Sequence, residues 1–261
     1  CARELLKAKA NLEAQMNSGH TALMISAQNG HDLCLRALIE AKANLEKQTK
    51  LGNTALILSC QNGHDLCTRE LLKAGANIEA TEEDDWTAIM FAAQNGHDLC
   101  LRALIEAKAD LEKQTQKGNT ALILACQNGH DLCVRALIEA NADPNKANNE
   151  GYTALMLTSF SGHEHCAREL LKAGATVDAA SKAGETSLMK AAKNGHDLCA
   201  LALLKADADP NKAASDGSTA LMLSSQGGHE RCARALIEAK ANLEATQNEG
   251  WTAIMYSAQN G

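Results

Sequence analysis

A threonine followed by a small residue and two apolar ones recurs along this chain at Thr21, Thr54, Thr87, Thr120, Thr153, Thr186, Thr219 and Thr252, spaced by 33 residues every time. A glycine follows nine residues after each, at Gly30, Gly63, Gly96, Gly129, Gly162, Gly195, Gly228 and Gly261, without an insertion or deletion. A fixed period of this length marks a repeat architecture, in which each unit packs only on its neighbours. The period divides residues 1–261 as a single array. Residues 1–20 read as the back of one repeat, 21–53, 54–86, 87–119, 120–152, 153–185, 186–218 and 219–251 as full repeats, and 252–261 as the front of another. Repeats 21–53 and 87–119 differ at only six of 33 positions, which points to duplication of repeats in pairs.

Within one unit the pattern reads as turn, short helix, turn, longer helix. Thr21 has the chemistry of a helix N-cap, Ala22 to Gln28 follow at helical spacing, and Gly30 is a helix terminator. From about Asp32 to Ala41, Cys34, Leu38 and Ile39 share one face while Arg36 and Glu40 point elsewhere, the pattern of an amphipathic helix. Neither helix could bury its apolar stripe alone, so stacked copies must supply a continuous core. The apolar residues are mostly Ala, Leu, Ile and Cys, with only two each of Trp, Tyr, Phe and Pro, a composition suited to small, closely packed helices. The expected fold class is all-α.

These residues carry a family resemblance. The segment GNTALILSCQNGHDLCTRELLKAGANIEA, residues 52–80, closely resembles the ankyrin repeat, and the likeness extends over the whole chain. The family signature T-P-L-H-x-A stands here as Thr-Ala-Leu-Met, Thr-Ala-Leu-Ile, Thr-Ala-Ile-Met or Thr-Ser-Leu-Met, followed by Gly-His and, at Gly75 and Gly174, by Gly-Ala. The departures are regular: the signature proline is absent, Met or Ile replaces its histidine, and the helix-ending glycine is often Lys42, Lys108, Asn141, Asp207 or Lys240. They bear on stability rather than on fold. The resemblance implies an ankyrin-repeat solenoid, a helix-turn-helix with a hairpin-like turn per 33 residues, stacked as a right-handed superhelix with a concave groove.

Eight of the ten cysteines recur in phase, at Cys1, Cys34, Cys67, Cys100, Cys133, Cys166, Cys199 and Cys232. Stacked helices lie about 8–10 Å apart, whereas a disulfide needs Cα atoms within about 7 Å. The series is therefore expected to be a ladder of free core thiols, and Cys60 and Cys126 are read the same way. Free thiols suit a reducing compartment, so a cytoplasmic location is expected.

The recurring His-Asp-Leu-Cys, as at His31, His64, His97, His130 and His196, offers two metal ligands per helix where zinc wants four. The cluster His163, His165 and Cys166 also lacks an evident fourth ligand. The resemblance gives the Gly-His pair a structural place at the turn between helices. No metal or cofactor is expected. No phosphate loop, nucleophile elbow or prominent acid pair stands out from the repeat, so the chain is not read as an enzyme. The run Glu82, Glu83, Asp84, Asp85 lacks the alternating ligands and glycine of a calcium loop and reads as a solvated acidic turn or a contact for a basic partner.

A net charge of −7, with both signs interspersed, leaves no broad basic surface for nucleic acid or an anionic membrane. No apolar run approaches the roughly 18 residues that span a bilayer, and no secretory leader opens the sequence.

In the ankyrin family, partner contacts lie at turn tips and along the first helix. The resemblance carries them to the positions one before, four after and seven after each threonine. All six aromatics fall there: Trp86, Tyr152 and Trp251 at tips, Phe91 and Tyr256 four after, and Phe160 seven after. Interfaces are enriched in such anchors. Along the expected groove come Glu83, Asp84 and Trp86, then Phe91, then Tyr152 with Phe160, and then Lys190 and Lys193, so that charge changes sign. The function expected is that of a monomeric scaffold binding a protein partner on its concave surface. The alternative is a targeting or spacer segment of a larger enzyme, channel or secreted effector.

Overall fold

A computed structural model describes residues 2–260; Cys1 and Gly261, the ends of the cysteine and glycine series, lie outside the described residues. These hold sixteen α-helices and no strand. Two compact units are present, one up to Ala121 and one from Leu122. The first contains α1 (Ala2–Lys7), α2 (Ala22–Gln28), α3 (Asp32–Glu40), α4 (Ala55–Gln61), α5 (Asp65–Lys73), α6 (Ala88–Asn95) and α7 (Asp98–Glu106). The second contains all but the first residue of α8 (Ala121–Gln127), then α9 (Asp131–Glu139), α10 (Ala154–Ser161), α11 (Glu164–Lys172), α12 (Ser187–Lys193), α13 (Asp197–Lys205), α14 (Ala220–Gln226), α15 (Glu230–Glu238) and α16 (Ala253–Asn260).

Each first helix starts where the recurring threonine places it. The Thr21 hydroxyl accepts from the Met24 amide at 3.3 Å, and Thr54 does the same for Ile57. Such a cap contributes about 1 kcal/mol. The methionine that replaces the signature histidine closes the other half of the cap. The Thr21, Thr87 and Thr186 amides each approach the sulfur of the methionine three residues on, Met24, Met90 and Met189, at 3.4 Å. A thioether is a weak acceptor, but it spares a buried amide from having no partner.

First helices pack on first helices and second on second, α2 on α4 on α6 and α3 on α5 on α7 in the first unit. The series α10, α12, α14, α16 and the series α9, α11, α13, α15 do so in the second. A first helix is therefore enclosed on most sides, and Ala55 through Cys60 are all buried. A second helix buries one face only. In α3 that face is centred on Leu35 and Leu38, with Cys34 and Ile39 half-buried at its margin. In later repeats the cysteine is buried fully, as at Cys67 and Cys100.

Histidine and glycine lock successive repeats together. The His64 and His97 rings rest on Gly30 and Gly63 of the repeat before, where a Cβ would lie 2.6 Å from Nδ1. Their Nε2 atoms meet the carbonyls of Gln28 and Gln61 at 2.9 and 3.2 Å, the end of the preceding first helix. His196 and His229 do the same to Phe160 and Lys193 in the second unit. This is the structural place that the resemblance gives the Gly-His pair. The turns between repeats are hairpin-like, with isolated antiparallel bridges at Thr81 and Thr87, Ala147 and Thr153, and Ala213 and Thr219. Those bridges recur in every second repeat, in step with the pairwise sequence period.

Candidate functional site

The turn tips and the first-helix positions beside them are where residues depart from the repeat. In the first unit the acidic tip is held by one of its own carboxylates: Glu82 Oε1 accepts from the Asp84 amide at 2.9 Å and from the Trp86 amide at 3.3 Å. Glu83, Asp84 and Asp85 are left exposed. The adjacent tip is tied on by its backbone, with the Gln116 amide donating to the Asp84 carbonyl at 3.1 Å and the Gln116 side chain to the Glu83 carbonyl at 2.7 Å. Trp86 and Phe91 come together, ring centroids 5.0 Å apart, both half-buried. A cleft of about 340 Å³ opens beside them, lined by Asp84, Trp86, Thr115, Gln116, Lys117 and Asn119.

In the second unit Tyr152 and Lys190 meet, the Lys190 ammonium 4.7 Å from the centre of the Tyr152 ring. A residue that sequence reasoning missed joins them. Glu185 accepts from the Tyr152 hydroxyl at 2.9 Å and pairs with Lys190 at 2.5 Å. Burial alone would raise the Glu185 carboxyl, but the hydrogen bonds from Lys190 and Tyr152 outweigh it and hold it below its ordinary range. Lys190 is buried and its charge is met within the chain, so it forms part of a clamp rather than a free cation. Glu185 could have been found: it stands one before Thr186, in the tip series that holds Trp86 and Tyr152.

Phe160 is 49% exposed, an open aromatic at the end of α10. Lys193, one repeat later in the same register, is exposed as well. Trp251 and Tyr256 stack at 5.1 Å with 28° between their planes. Each tip aromatic is thus tied to a residue of the series four after a threonine, and Phe160 stands apart.

The thiols and imidazoles are spread through the packing. Among the described residues no three of His, Cys, Asp and Glu are grouped so as to hold a metal ion. His163 rests on Gly129, His165 is exposed beside Glu164, and Cys166 is buried and donates to Asp131 Oδ1 at 2.9 Å. The nine described cysteines are free. Burial pushes the Cys67, Cys199 and Cys232 thiols up to about 11 and the Cys126 thiol up to about 12. Cys60, fully buried, is raised too, and Thr68 Oγ1 lies 3.5 Å from both its sulfur and that of Cys100. No described helix is long and apolar enough to cross a membrane.

Known proteins agree with this architecture. The crystal structure of the ankyrin repeat domain of Bcl-3, whose title calls it a unique member of the IkappaB protein family, is similar at 25% identity. Its TM-score is 0.74, over 85% of this chain and 100% of that one. The human ASB11 ankyrin repeat domain matches at 24% identity with a TM-score of 0.77, over 84% of this chain and 98% of that one, a likeness of fold. Among curated proteins, none matches the sequence. The family model described as ankyrin repeats in three copies matches residues 1–82, 67–148, 141–214 and 188–261. Ankyrin repeat domains are in general non-catalytic modules of protein–protein interaction, and this chain belongs to the ankyrin repeat family.

Proposed function

We propose that this chain recognises a protein partner through the tips and first helices of its repeats, as a monomer and without a cofactor. The observation that carries the reading is Phe160. Its register in other repeats holds Gln28, Gln61, Gln94, Gln127 and Gln226, yet here a large ring stands 49% exposed. An open aromatic on a preorganised helix end is the kind of anchor that dominates an interface, at about 2 kcal/mol or more. The acidic tip at Glu83, Asp84 and Trp86 with Phe91 offers a first contact area, suited to basic residues. Tyr152, Phe160, Lys190 and Lys193 offer a second, of which Lys193 suits acidic residues, and Trp251 with Tyr256 a third. Charges at the rim of such areas tune the association rate more than the final affinity.

Phe160→Gln and Tyr152→Asn restore residues found in sister repeats. Against a partner captured by pull-down, each is expected to weaken binding by about tenfold or more while the helical circular-dichroism spectrum stays close to wild type, with the melting midpoint unchanged in Phe160→Gln and modestly lowered in Tyr152→Asn, which loses the bond to Glu185. Normal binding by both variants would move recognition away from these positions.

A further inference from the structure

Each tip needs a residue at positive φ, and glycine supplies it at Gly19, Gly52, Gly118, Gly151, Gly184, Gly217 and Gly250. Glycine is needed there for a second reason, the closeness of the next tip. A Cβ on Gly52 would lie 2.8 Å from Glu82 Cα, and one on Gly151 or Gly184 would lie 2.9 Å from the next tip's Lys182 or Ser215 amide nitrogen. The acidic tip carries Asp85 at this place, with φ 62. Asp85 thus adds a side chain where the other tips carry glycine, while the backbone of this tip still meets the next one as theirs do. The cleft of about 340 Å³ lies at this junction, between the Asp84–Trp86 side and the Thr115–Asn119 side. The bond from the Gln116 amide to the Asp84 carbonyl, at 3.1 Å, keeps both walls joined.

Four carboxylates in a row make by themselves only a solvated turn. What distinguishes this one is an aromatic wall and a volume at the lower end of the range for ligand pockets, about 300–1,000 Å³. Phe91 holds the Trp86 indole, which also lines the cleft. Glu82 is committed to the Asp84 and Trp86 amides, and Thr115 Oγ1 to the Asn119 amide at 3.2 Å. The Asp84 carboxylate and the Lys117 ammonium line the cleft and make no bond with any described residue.

We infer that this cleft seats an arginine side chain of the partner segment, its guanidinium stacked on Trp86 and forked onto Asp84. The inference rests on the protein-recognition reading above and names the chemistry of its first contact. Glu83, Asp84 and Asp85 attract a cation. The planar, weakly hydrated guanidinium can stack on an indole and pair with a carboxylate at once, which the compact, strongly hydrated ammonium of lysine does less well. Lys117 repels a second cation at the same wall, so the residue next to the arginine is acidic or neutral.

The test uses the full chain and a blocked hexapeptide, Ser-Gly-Arg-Asp-Gly-Ser, with a counterpart in which neutral citrulline replaces the arginine. The two indole N–H signals, assigned with Trp86→Phe, report binding by NMR at neutral pH and low salt. The arginine peptide is expected to move the Trp86 signal and leave Trp251 in place, to weaken as salt is added, and to bind at least about tenfold more tightly than the citrulline peptide. Asp84→Asn, an exposed change that keeps the fold, is expected to weaken it by about tenfold, and Lys117→Ala to tighten it by severalfold. Equal binding of the citrulline peptide, equal movement of both indoles, or an unchanged affinity in Asp84→Asn overturns the arginine seat. If the seat fails while Phe160→Gln and Tyr152→Asn still weaken a captured partner, protein recognition stands. If those two variants bind normally while the peptide still moves Trp86, the seat stands and the second contact area falls.

Discussion

Lys42, Lys108, Asn141, Asp207 and Lys240 each end a second helix at a φ between 63 and 67. This is the left-handed conformation that the missing family glycine predicts. Sister repeats keep Gly75 and Gly174 there at φ 85, and a Cβ on either would meet nothing within 4 Å, so the cost to a larger residue is conformational rather than steric. A non-glycine residue in this region costs roughly 1–2 kcal/mol. A glycine gives back about 0.4–1 kcal/mol through the freedom of its unfolded chain. Lys42→Gly and Lys108→Gly are therefore each expected to raise stability by about 0.5–1 kcal/mol, read as a shift of the urea midpoint to higher concentration without a change of slope. A midpoint that does not rise in either variant would mean that the unfolded-state gain cancels the relief. At this scale much was legible, because a missing glycine at a fixed register is visible in a single sequence. The thioether that completes the cap was not, because methionine at that register also fits a plain core position.

The tip and its neighbouring first helix form the element proposed to carry recognition, and Tyr152, Glu185 and Lys190 show how such an element is fixed. The Lys190 side chain is 11% exposed and that of Glu185 20%, so each charge depends on the other rather than on water. Removing one partner of such a pair costs more than the pair itself contributes, since the remaining charge is left poorly solvated. Glu185→Gln is expected to lower stability at neutral pH by about 1–2 kcal/mol, kept small by partial solvent contact. The pH dependence follows from the lowered Glu185 carboxyl. Its contribution is full above the unfolded value of about 4.3 and is lost as pH falls through the lower folded value. The gap between wild type and Glu185→Gln should accordingly close on acidification through that window. A gap that stays constant down to strongly acidic pH would show that the clamp owes its worth to packing. The sequence placed Tyr152 in the tip row and Lys190 in the first-helix row but not in contact, because they stand 38 residues apart and their meeting depends on how one repeat sits on the next.

Across the molecule the cysteine ladder is the clearest shared feature, free in its described rungs and buried from Cys67 onward. A thiol whose ionisation burial pushes to about 11 or 12, as at Cys67, Cys126, Cys199 and Cys232, is protonated at neutral pH and a poor nucleophile. Native protein treated with a thiol reagent at neutral pH is expected to react slowly, half-buried Cys34 leading the described thiols, and to yield all ten thiols on non-reducing denaturation. Intramolecular disulfides in native material would overturn both the ladder and the expectation of a reducing compartment. The sequence alone determined the helix positions, the caps and the family, because each is set by contacts that recur with the 33-residue period and are written again in every copy. Tertiary structure decided what one copy does to the next. It closed the Tyr152, Glu185 and Lys190 clamp, left Phe160 open, and set a cleft beside Trp86 where Asp85 replaces glycine. Those outcomes depend on ångström distances between side chains about one repeat apart, and the identity of a residue does not state its distance from a neighbour that only stacking provides.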